Sequence, residues 1–280
     1  MITTGGKYGY EIIDRFLSVA PRYLTEQGVI LIVFSSLTKQ NKVDEIISNY
    51  ALVFELLEKI HVSFEDLFCY KITKSELLKQ VEKIGVTNVK RLTRGHRGII
   101  YTGFLNKKTV AIKSQIVSPQ IIHRIKNEVV FLEKLNKDDI GPKLIFAKDD
   151  FFVCEYIDGQ LFEDFIKNQS HNDIKIIIRE IFDQMYTLDK LGVSKEEMTN
   201  PYKHILIKNK KPILIDFERC SYTEKPKNVT QFCQYITHLK RELTKKGFDI
   251  NPEHMIKLCK LYKLDRSIKH FKQIVALYLD

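Results

Sequence analysis

The spacing of apolar residues in the first 72 positions predicts a small α/β segment. Residues 10–24 carry apolar side chains at helical spacing, and Gly28 follows where a helix commonly ends. The uncharged run at 29–34 lacks polar alternation, so it predicts a strand that is covered on both faces. The other expected elements are a helix over 43–49 and strands over 52–55 and 64–72.

Beyond this segment a β-rich pattern is followed by an α-rich one, which predicts a two-lobed α+β unit. A linking helix over 73–85 comes first, with Thr73 or Ser75 as its N-cap and Gly85 at its end. The later elements are strands at 89–93, 99–104, 109–116, 143–147 and 151–156, a turn at 105–108, a helix over 119–136, a polar loop at 194–204 and a hairpin at 205–217, with helices over most of 161–280.

The composition is that of an ordinary globular protein, with 44% hydrophobic and 29% charged residues. The longest apolar run is far shorter than the roughly 20 residues of a membrane-spanning helix, and the N-terminus has no apolar signal core. The five cysteines are scattered and show no Cys-x-x-Cys spacing, which favours reduced thiols. We therefore expect a cytoplasmic protein without a membrane partner.

The formal net charge of +10 raises the prospect of a polyanionic partner. RNA or the ribosome would fit such a basic surface. The alternative is a solvated surface that uses lysine by default, since no cluster of arginine and aromatic residues accompanies the charge.

Four short motifs in the first segment resemble one enzyme family. They are Gly5-Gly6-Lys7, Ile13-Asp14-Arg15-Phe16-Leu17, Pro21-Arg22-Tyr23-Leu24 and Ser35-Ser36-Leu37. Together they resemble the last third of the HemK-type glutamine methyltransferases, which have a Rossmann-like fold. The Gly-rich cofactor turn and the Asn-Pro-Pro-Tyr loop of that family have no counterpart in this chain. The resemblance therefore implies a structural remnant or a docking module, without methyltransferase activity of its own.

Two glycines and a lysine in the β-rich part have the spacing of a phosphate-binding loop. Gly95 and Gly98 lie between two predicted strands, where backbone N–H groups can approach phosphate oxygens closely. The alternative is a hairpin turn that requires glycine. In the next strand but one, alternation places Ala111 and Lys113 on one face, which leaves room for a flat ring beside the ammonium group. The alternative is a strand lysine that is simply exposed.

Two acidic residues occupy positions where a carboxylate needs a partner. Glu128 lies within the apolar stripe of the helix over 119–136, and Lys113 is the expected partner. The alternative is a rotated helix that brings Glu128 to the rim. Asp216 follows three large aliphatic residues at the end of a predicted buried strand, where its oxygens suit magnesium. The alternative is an aspartate that starts a turn.

In this order and spacing, residues 90–220 resemble the eukaryotic-like protein kinase superfamily, in particular its small atypical members. The nearest comparisons are the RIO kinases, the kinase of the KEOPS complex and the archaeal predicted serine/threonine kinases. The resemblance implies ATP and Mg²⁺ as cofactors. It assigns ATP binding to Gly95, Gly98, Ile100, Ala111, Lys113, Glu128, Glu155 and Tyr156.

The chain departs from the kinase pattern at three points. Thr93 replaces the first loop glycine, Glu218 replaces the glycine of Asp-Phe-Gly, and His-Arg-Asp is absent. Counting back from Asp216 puts Glu197 nearest the catalytic aspartate and His204 at the metal-binding asparagine. The resemblance thus implies Glu197, Lys113 and Asp216 as catalytic residues and Asp216 and His204 as metal ligands. The alternative for this loop is a surface connection in a protein that binds ATP without transferring phosphate.

These inferences predict three parts: a methyltransferase-like α/β segment over 1–72, a kinase-like N-lobe over 73–160 and a reduced helical C-lobe over 161–280. The expected function is that of an atypical ATP- and magnesium-dependent serine/threonine protein kinase, acting by phosphoryl transfer or as an ATPase. The alternative is a pseudokinase, a nucleotide-binding module in a translation- or ribosome-linked assembly.

Overall fold

The computed structural model describes residues 7–95, 98–115 and 122–279, and the chain divides into two compact units. The first unit comprises residues 1–122 and 146–156, and the second comprises 123–145 and 157–280. The predicted three-part division stays a prediction.

The elements between residues 7 and 115 alternate between helix and strand and then become all-β. They are α1 (Glu11–Leu17), β1 (Ile30–Ser35), α2 (Gln40–Asn49), β2 (Leu52–Val62), β3 (Glu65–Lys74), α3 (Glu76–Lys83), β4 (Thr87–Arg94), β5 (Gly98–Leu105) and β6 (Lys108–Gln115). Short 3-10 helices cover Ala20–Tyr23 and Ser36–Thr38.

The elements between residues 122 and 279 are mostly helical. They are α4 (Ile122–Leu135), β7 (Leu144–Ala147), β8 (Phe151–Glu155), β9 (Gln160–Leu161), α5 (Phe162–Asn168), α6 (His171–Lys190), β10 (Val193–Lys195), β11 (Ile205–Lys208), β12 (Lys211–Leu214), β13 (Cys220–Tyr222), α7 (Asn228–His238), α8 (Lys240–Thr244), α9 (Pro252–Asp265) and α10 (Ile268–Leu279). A short 3-10 helix covers Asn136–Asp138.

The first unit begins with an antiparallel sheet in which β3 lies between β1 and β2. One face of this sheet buries Phe34, Phe68 and Tyr70 in a core that α1 and α2 share. The same core continues into the second sheet through Tyr101 and Ile112. One apolar core therefore joins the methyltransferase-like segment to the strands that follow it.

The other face of β1 is open, which corrects the prediction of a strand covered on both faces. Leu31 is 64% exposed and Val33 is 66% exposed, although both belong to an uncharged strand. In the described part of the first unit, the helices lie on the opposite face, where Phe34 is 6% exposed. Strand β1 therefore has apolar side chains on a face that the described residues leave exposed.

The first helix is shorter than its apolar spacing predicts. It ends at Leu17, and a 3-10 helix with Pro21 in its first turn takes over at Ala20. Proline has no N–H group to donate to the residue four positions back, so an α-helix cannot continue through Pro21 without losing a hydrogen bond.

The second sheet has the strand order β4-β5-β6-β8-β7. Its β5–β6 hairpin turns at Asn106 and Lys107, whose φ angles of 50° and 64° are those of a two-residue type I′ turn. The turn predicted at 105–108 is confirmed. The linking helix α3 begins at Ser75, whose side-chain oxygen accepts the Leu78 N–H at 3.1 Å, so Ser75 rather than Thr73 is the N-cap.

The second unit is built around α6, which buries one apolar stripe along its length. Helices α7 and α10 pack against α6, and α9 packs against both of them. The unit also has two small antiparallel sheets, one made of β9, β11 and β12 and the other of β10 and β13. Strands β10 and β12 contact α6. In the region predicted to be mostly helical, α7 ends at His238 and α8 begins at Lys240, so the helix is interrupted at Leu239.

The predicted α+β class is confirmed in its coarse form, since antiparallel sheets and helices make up both units. The kinase-like lobes are not confirmed. Among the described residues, no helix has the length and apolar character that a membrane span requires. Contact with RNA or the ribosome and a cytoplasmic location stay predictions.

Candidate cation-binding site

The β11–β12 hairpin brings His204 and Asp216 together in the second unit. His204 precedes β11 and Asp216 follows β12, and the Ile215 N–H donates to the His204 carbonyl oxygen at 3.0 Å. His204 Nδ1 and Asp216 Oδ2 consequently lie 3.7 Å apart at the open end of the hairpin. The hairpin predicted over 205–217 is confirmed, with Asp216 at its end.

Two of the residues at this position have a left-handed backbone. The φ angles of Glu197 and Asp216 are 73° and 64°. This region costs non-glycine residues on the order of 1 kcal/mol each, and such strain is concentrated at functional sites. One carboxylate oxygen of Glu197 lies 3.0 Å from His204 Nε2, so the strained residue still makes a specific contact.

The two nitrogens of His204 have different surroundings. Nε2 faces the Glu197 carboxylate, whereas Nδ1 is buried and has no hydrogen-bond partner among the described residues. Burial, together with the positive charge of Lys195, lowers the pKa of His204 despite the nearby Asp216 and Glu197. The imidazole is therefore neutral near pH 7, donates from Nε2 and keeps a lone pair on Nδ1. This is the form in which histidine binds metals.

Asp216 belongs to two clusters of side chains that could bind a metal ion. Carboxylate oxygens of Glu128, Asp216 and Glu218 lie within 4.8 Å of one another, as do ligand atoms of Glu197, His204 and Asp216. Glu128 is only 4% exposed, which confirms its predicted place in the apolar face of α4. It accepts the Phe217 N–H at 3.3 Å, so the helix holds the backbone that follows Asp216.

A buried lysine behind Asp216 was missed by the sequence analysis. Lys195 is 1% exposed, donates from Nζ to the Asp216 carbonyl oxygen and lies 4.8 Å from the centre of the Phe217 ring. Its burial lowers the pKa of the Lys195 ammonium group. No sequence signal marks it, because a lysine in a polar loop is normally solvated and the contact spans 21 positions.

Two arginines partly balance the acidic groups. Arg124 Nη1 lies 3.1 Å from Glu218 Oε1, and Arg219 Nη1 lies 2.6 Å from Glu197 Oε1. The side chain of Arg219 is 35% exposed, so it faces the rim of the cluster. The site therefore combines carboxylates and one imidazole nitrogen with fixed positive charges at its edge.

This donor set fits a divalent cation. Carboxylate oxygens suit Mg²⁺ and Mn²⁺, whereas an imidazole nitrogen suits transition metals better than Mg²⁺. The unpartnered Nδ1 of His204 is the strongest indication, because a buried polar atom without a partner is costly. The hydrogen bond from Nε2 to Glu197 matches the way metal-bound histidines are oriented.

Gly95 and Gly98, the glycines of the predicted phosphate loop, adjoin two antiparallel strands, since Gly95 follows β4 and Gly98 begins β5. The Gly95 N–H donates to the Gly98 carbonyl oxygen at 2.9 Å, and residues 96–97 between them lie outside the described residues. A Cβ atom at Gly98 would lie 2.7 Å from the Ser114 carbonyl oxygen, so packing alone requires glycine there. The alternative of a turn that requires glycine therefore accounts for Gly98 without a nucleotide, whereas a Cβ atom at Gly95 would meet only the Gly98 carbonyl oxygen, at 3.8 Å.

The other residues assigned to ATP lie on the second sheet. Ile100 is paired with Lys113, and Ala111 is paired with Cys154, while Val110 and Ile112 on the other face are buried. The predicted alternation of this strand is therefore confirmed. Glu155 ends β8, and Tyr156 donates its N–H to Thr109 at 3.4 Å. Lys113 and Glu128 belong to different units, and their pairing stays a prediction.

Comparison with known proteins points to methyltransferases rather than kinases. No protein family model matches the chain. A protein of Methanocaldococcus jannaschii, whose name gives it as a proposed protein N5-glutamine methyltransferase, is 38% identical over 63 residues. These residues make up 22% of this chain and 32% of that protein, so the chain spans about a third of the length of the curated relative that it matches.

The kinase resemblance is wrong, and the kinase and pseudokinase functions are dropped with it. The finding that overturns them is that the relative is named as a methyltransferase, while no kinase family model matches. Two of the residues that carried the resemblance also have an ordinary structural reason: the Gly98 backbone needs space, and the Glu128 carboxylate accepts a backbone N–H. ATP binding was inferred from the same resemblance and is withdrawn. The individual site residues and Mg²⁺ are untested and stay predictions.

Proposed function

We propose that the second unit holds a divalent cation and that this is the working centre of an enzyme. Asp216 and His204 are the ligands, and Glu197 orients the imidazole. The observation that carries the proposal is His204 Nδ1, a buried nitrogen without a hydrogen-bond partner among the described residues, 3.7 Å from Asp216 Oδ2. That the relative is named as a methyltransferase supports an enzyme in general terms.

The chain's own residues have separate roles in this proposal. Glu128 fixes the Phe217 backbone, and Lys195 fixes the Asp216 carbonyl, so the Asp216 carboxylate is held in place from both sides. When bound, the cation supplies Lewis acidity and lowers the pKa of a bound water. Arg219 at the rim offers a positive charge to an anionic group of a substrate.

The test is Mn²⁺ binding to the full chain, followed by electron paramagnetic resonance. We expect one site whose affinity falls at least tenfold in both Asp216→Asn and His204→Gln. Glu197→Gln should weaken binding by about 10- to 100-fold, as removal of an orienting partner does. Coupling of the bound Mn²⁺ to a nitrogen nucleus should be present in the native chain and lost in His204→Gln.

The control is Asp139→Asn, because Asp139 is an acidic residue of the same unit whose side chain is 89% exposed. It should bind Mn²⁺ as the native chain does. Equal Mn²⁺ affinity in Asp216→Asn and the native chain would rule the site out.

We propose, as a second function, that the first 72 residues take part in a methyl-transfer assembly. The observations behind it are the methyltransferase-like motifs in residues 5–37 and the 38% identity over 63 residues between this chain and the Methanocaldococcus jannaschii protein. The cofactor turn and the Asn-Pro-Pro-Tyr loop are absent from this sequence, so the segment contributes surface rather than a cofactor site. Equilibrium dialysis should show no micromolar binding of S-adenosylmethionine to the chain alone.

A further inference from the structure

A lysine occupies a core position at the end of strand β3. The strand alternates strictly, and Phe68, Tyr70 and Ile72 are the buried apolar residues of one face. Lys74 is the next residue of that face and is only 6% exposed. Burying an ammonium group is costly unless its charge and its N–H donors find partners, so a lysine at this position requires an explanation.

The ion pair between Lys74 and Glu82 meets only part of that requirement. Glu82 Oε2 lies 2.5 Å from Lys74 Nζ, and the Glu82 side chain is 30% exposed. An ammonium group has three N–H donors. Glu82 is the one partner of Lys74 among the described residues, so two donors of this buried side chain have no acceptor from that part of the chain. They are available to a ligand.

Lys74 and Glu82 line a cavity of about 870 Å³ in the first unit. Its other walls come from the 3-10 helix at Ala20–Tyr23 and from α3, β4 and β5. Leu78, Val86 and Val89 also line it, and their side chains are buried. The volume falls in the range of about 300–1,000 Å³ that is typical of small-molecule sites, and the lining combines apolar and charged groups.

The cavity has an excess of positive charge. Arg22, Lys74 and Lys90 line it, whereas Glu82 is the one acidic residue among the described residues of its lining. Three cationic side chains against one carboxylate leave a formal charge of +2. A concave site lined by one sign of charge attracts ligands of the opposite sign.

Two of these cations have no carboxylate of their own. In the ranges that the structure describes, neither Arg22 nor Lys90 forms an ion pair. Arg91, the sequence neighbour of Lys90, does form one, with its Nη2 3.1 Å from Glu45 Oε1. Acidic residues are therefore within reach of β4, yet those at the cavity leave its positive charge uncompensated.

Strand β4 is distorted where it lines the cavity. Its pairing with β5 shifts register between Thr87 and Lys90, and Asn88 within this stretch has a φ angle of 55°. All four residues from Thr87 to Lys90 line the cavity. Bulges re-aim side chains and are common next to functional sites, so this distortion is consistent with a wall that is shaped for a ligand.

We propose that this cavity binds a small organic anion. Its carboxylate or phosphate group accepts the two remaining N–H donors of Lys74. Arg22 and Lys90 balance its charge, and its apolar part lies against Leu78 and Val86. The site belongs to a different unit from the candidate cation site and does not depend on it.

The experiment is a methyl NMR titration of the full chain with hexanoate and with hexyl phosphate, and hexan-1-ol is the neutral ligand of matched length. We expect saturable shifts for both anions at the methyl groups of Leu78, Val86 and Val89, and at least tenfold weaker binding in Lys74→Met. The control variant is Lys83→Met, because Lys83 belongs to the same helix as Leu78, is 60% exposed and does not line the cavity. It should bind both anions as the native chain does.

A second variant separates ligand binding from folding. Lys74→Met leaves Glu82 without its partner, so its melting temperature is measured alongside. Arg22 is exposed, and Arg22→Gln should therefore keep the native melting temperature while binding both anions at least threefold more weakly.

Each outcome bears on the proposal. Binding of only one of the two anions supports it and identifies the anionic group. Equal binding of hexan-1-ol overturns it, as do affinities that are unchanged in both Lys74→Met and Arg22→Gln. Absence of saturable shifts at all three methyl-bearing residues also overturns it, since the cavity then holds solvent only.

Discussion

Asn228 is the centre of a buried hydrogen-bond network that includes Lys195, the lysine behind Asp216 of the candidate site. Its side-chain N–H groups donate to Asp189 Oδ1 at 2.7 Å and to the Val193 carbonyl at 2.6 Å, and its oxygen accepts the Lys195 N–H at 2.8 Å. Tyr262 also donates to Asp189, at 2.9 Å. The network thereby fixes β10, the strand that carries Lys195 to the back of Asp216.

Replacing Asn228 should therefore destabilise the protein strongly. In Asn228→Ala, the Val193 carbonyl and the Lys195 N–H lose their partners inside the core, and each such loss costs about 1–3 kcal/mol. We expect a total loss of about 3 kcal/mol or more in the free energy of unfolding, measured by urea denaturation. Asn168→Ala is the control, because Asn168 is exposed and makes one hydrogen bond to Asp164, so its loss should be within about 0.5 kcal/mol. Equal effects of the two changes would contradict the assigned role of Asn228.

The ionised carboxylate of Asp265 stabilises the folded protein, and this stabilisation is lost at acid pH. The Ser267 N–H donates to its carboxylate at 2.9 Å, and His270 lies 2.9 Å away, which together hold the pKa of Asp265 at about 2. Since the pKa is lower in the folded than in the unfolded state, the unfolded chain takes up the proton first. The contribution is complete above about pH 4 and is lost as the pH falls towards 2.

The expected result concerns the difference in melting temperature between the native chain and Asp265→Asn. The asparagine can still accept the Ser267 N–H, so only the charge is removed. The difference should be largest above pH 4 and should disappear near pH 2. A difference that stays constant across this range would show that Asp265 does not titrate as described.

At the scale of single elements, the β5–β6 hairpin has an imperfect turn. Lys107 occupies the second central position of a type I′ turn with a φ angle of 64°, where glycine is favoured after asparagine. Lys107→Gly relieves the left-handed strain, which costs about 1–2 kcal/mol, and loses some of this gain to chain entropy. We expect a net stabilisation of about 0.5–1 kcal/mol, measured by thermal or urea unfolding.

The neighbouring lysine is the control for this change. Lys108 is the first residue of β6, so Lys108→Gly removes strand propensity without relieving any turn strain and should be neutral or destabilising. A destabilising Lys107→Gly would mean that the turn does not have the type I′ geometry.

Most elements could be predicted from the sequence because their signals are local. The hairpin turns, the Ser75 cap and the burial of Glu128 all follow from residues within a few positions of one another. The contacts that build the candidate site are not local. Arg124 and Glu218 are 94 positions apart, and no spacing rule encodes such a pair.

At the scale of the whole molecule, the kinase assignment failed for a physical reason. Glycine in a tight turn, lysine on a strand and glutamate in an apolar helix face are each common for reasons of packing. Their order along the chain does not show that they meet in one binding site. The β1 strand shows the opposite case. Its sequence predicted a strand covered on both faces; the strand is present, but one of its faces is open in the described part of the first unit.

The side chain of Asn127 has a consequence for how the second unit moves. It donates to the carbonyl oxygens of Glu218 and Cys220 at 3.0 and 2.9 Å, one residue before Glu128 accepts the Phe217 N–H. Three hydrogen bonds from two adjacent residues of α4 thus attach the helix to the backbone of residues 217–220. We expect the helix and that backbone segment to move together, because separating them would break all three bonds.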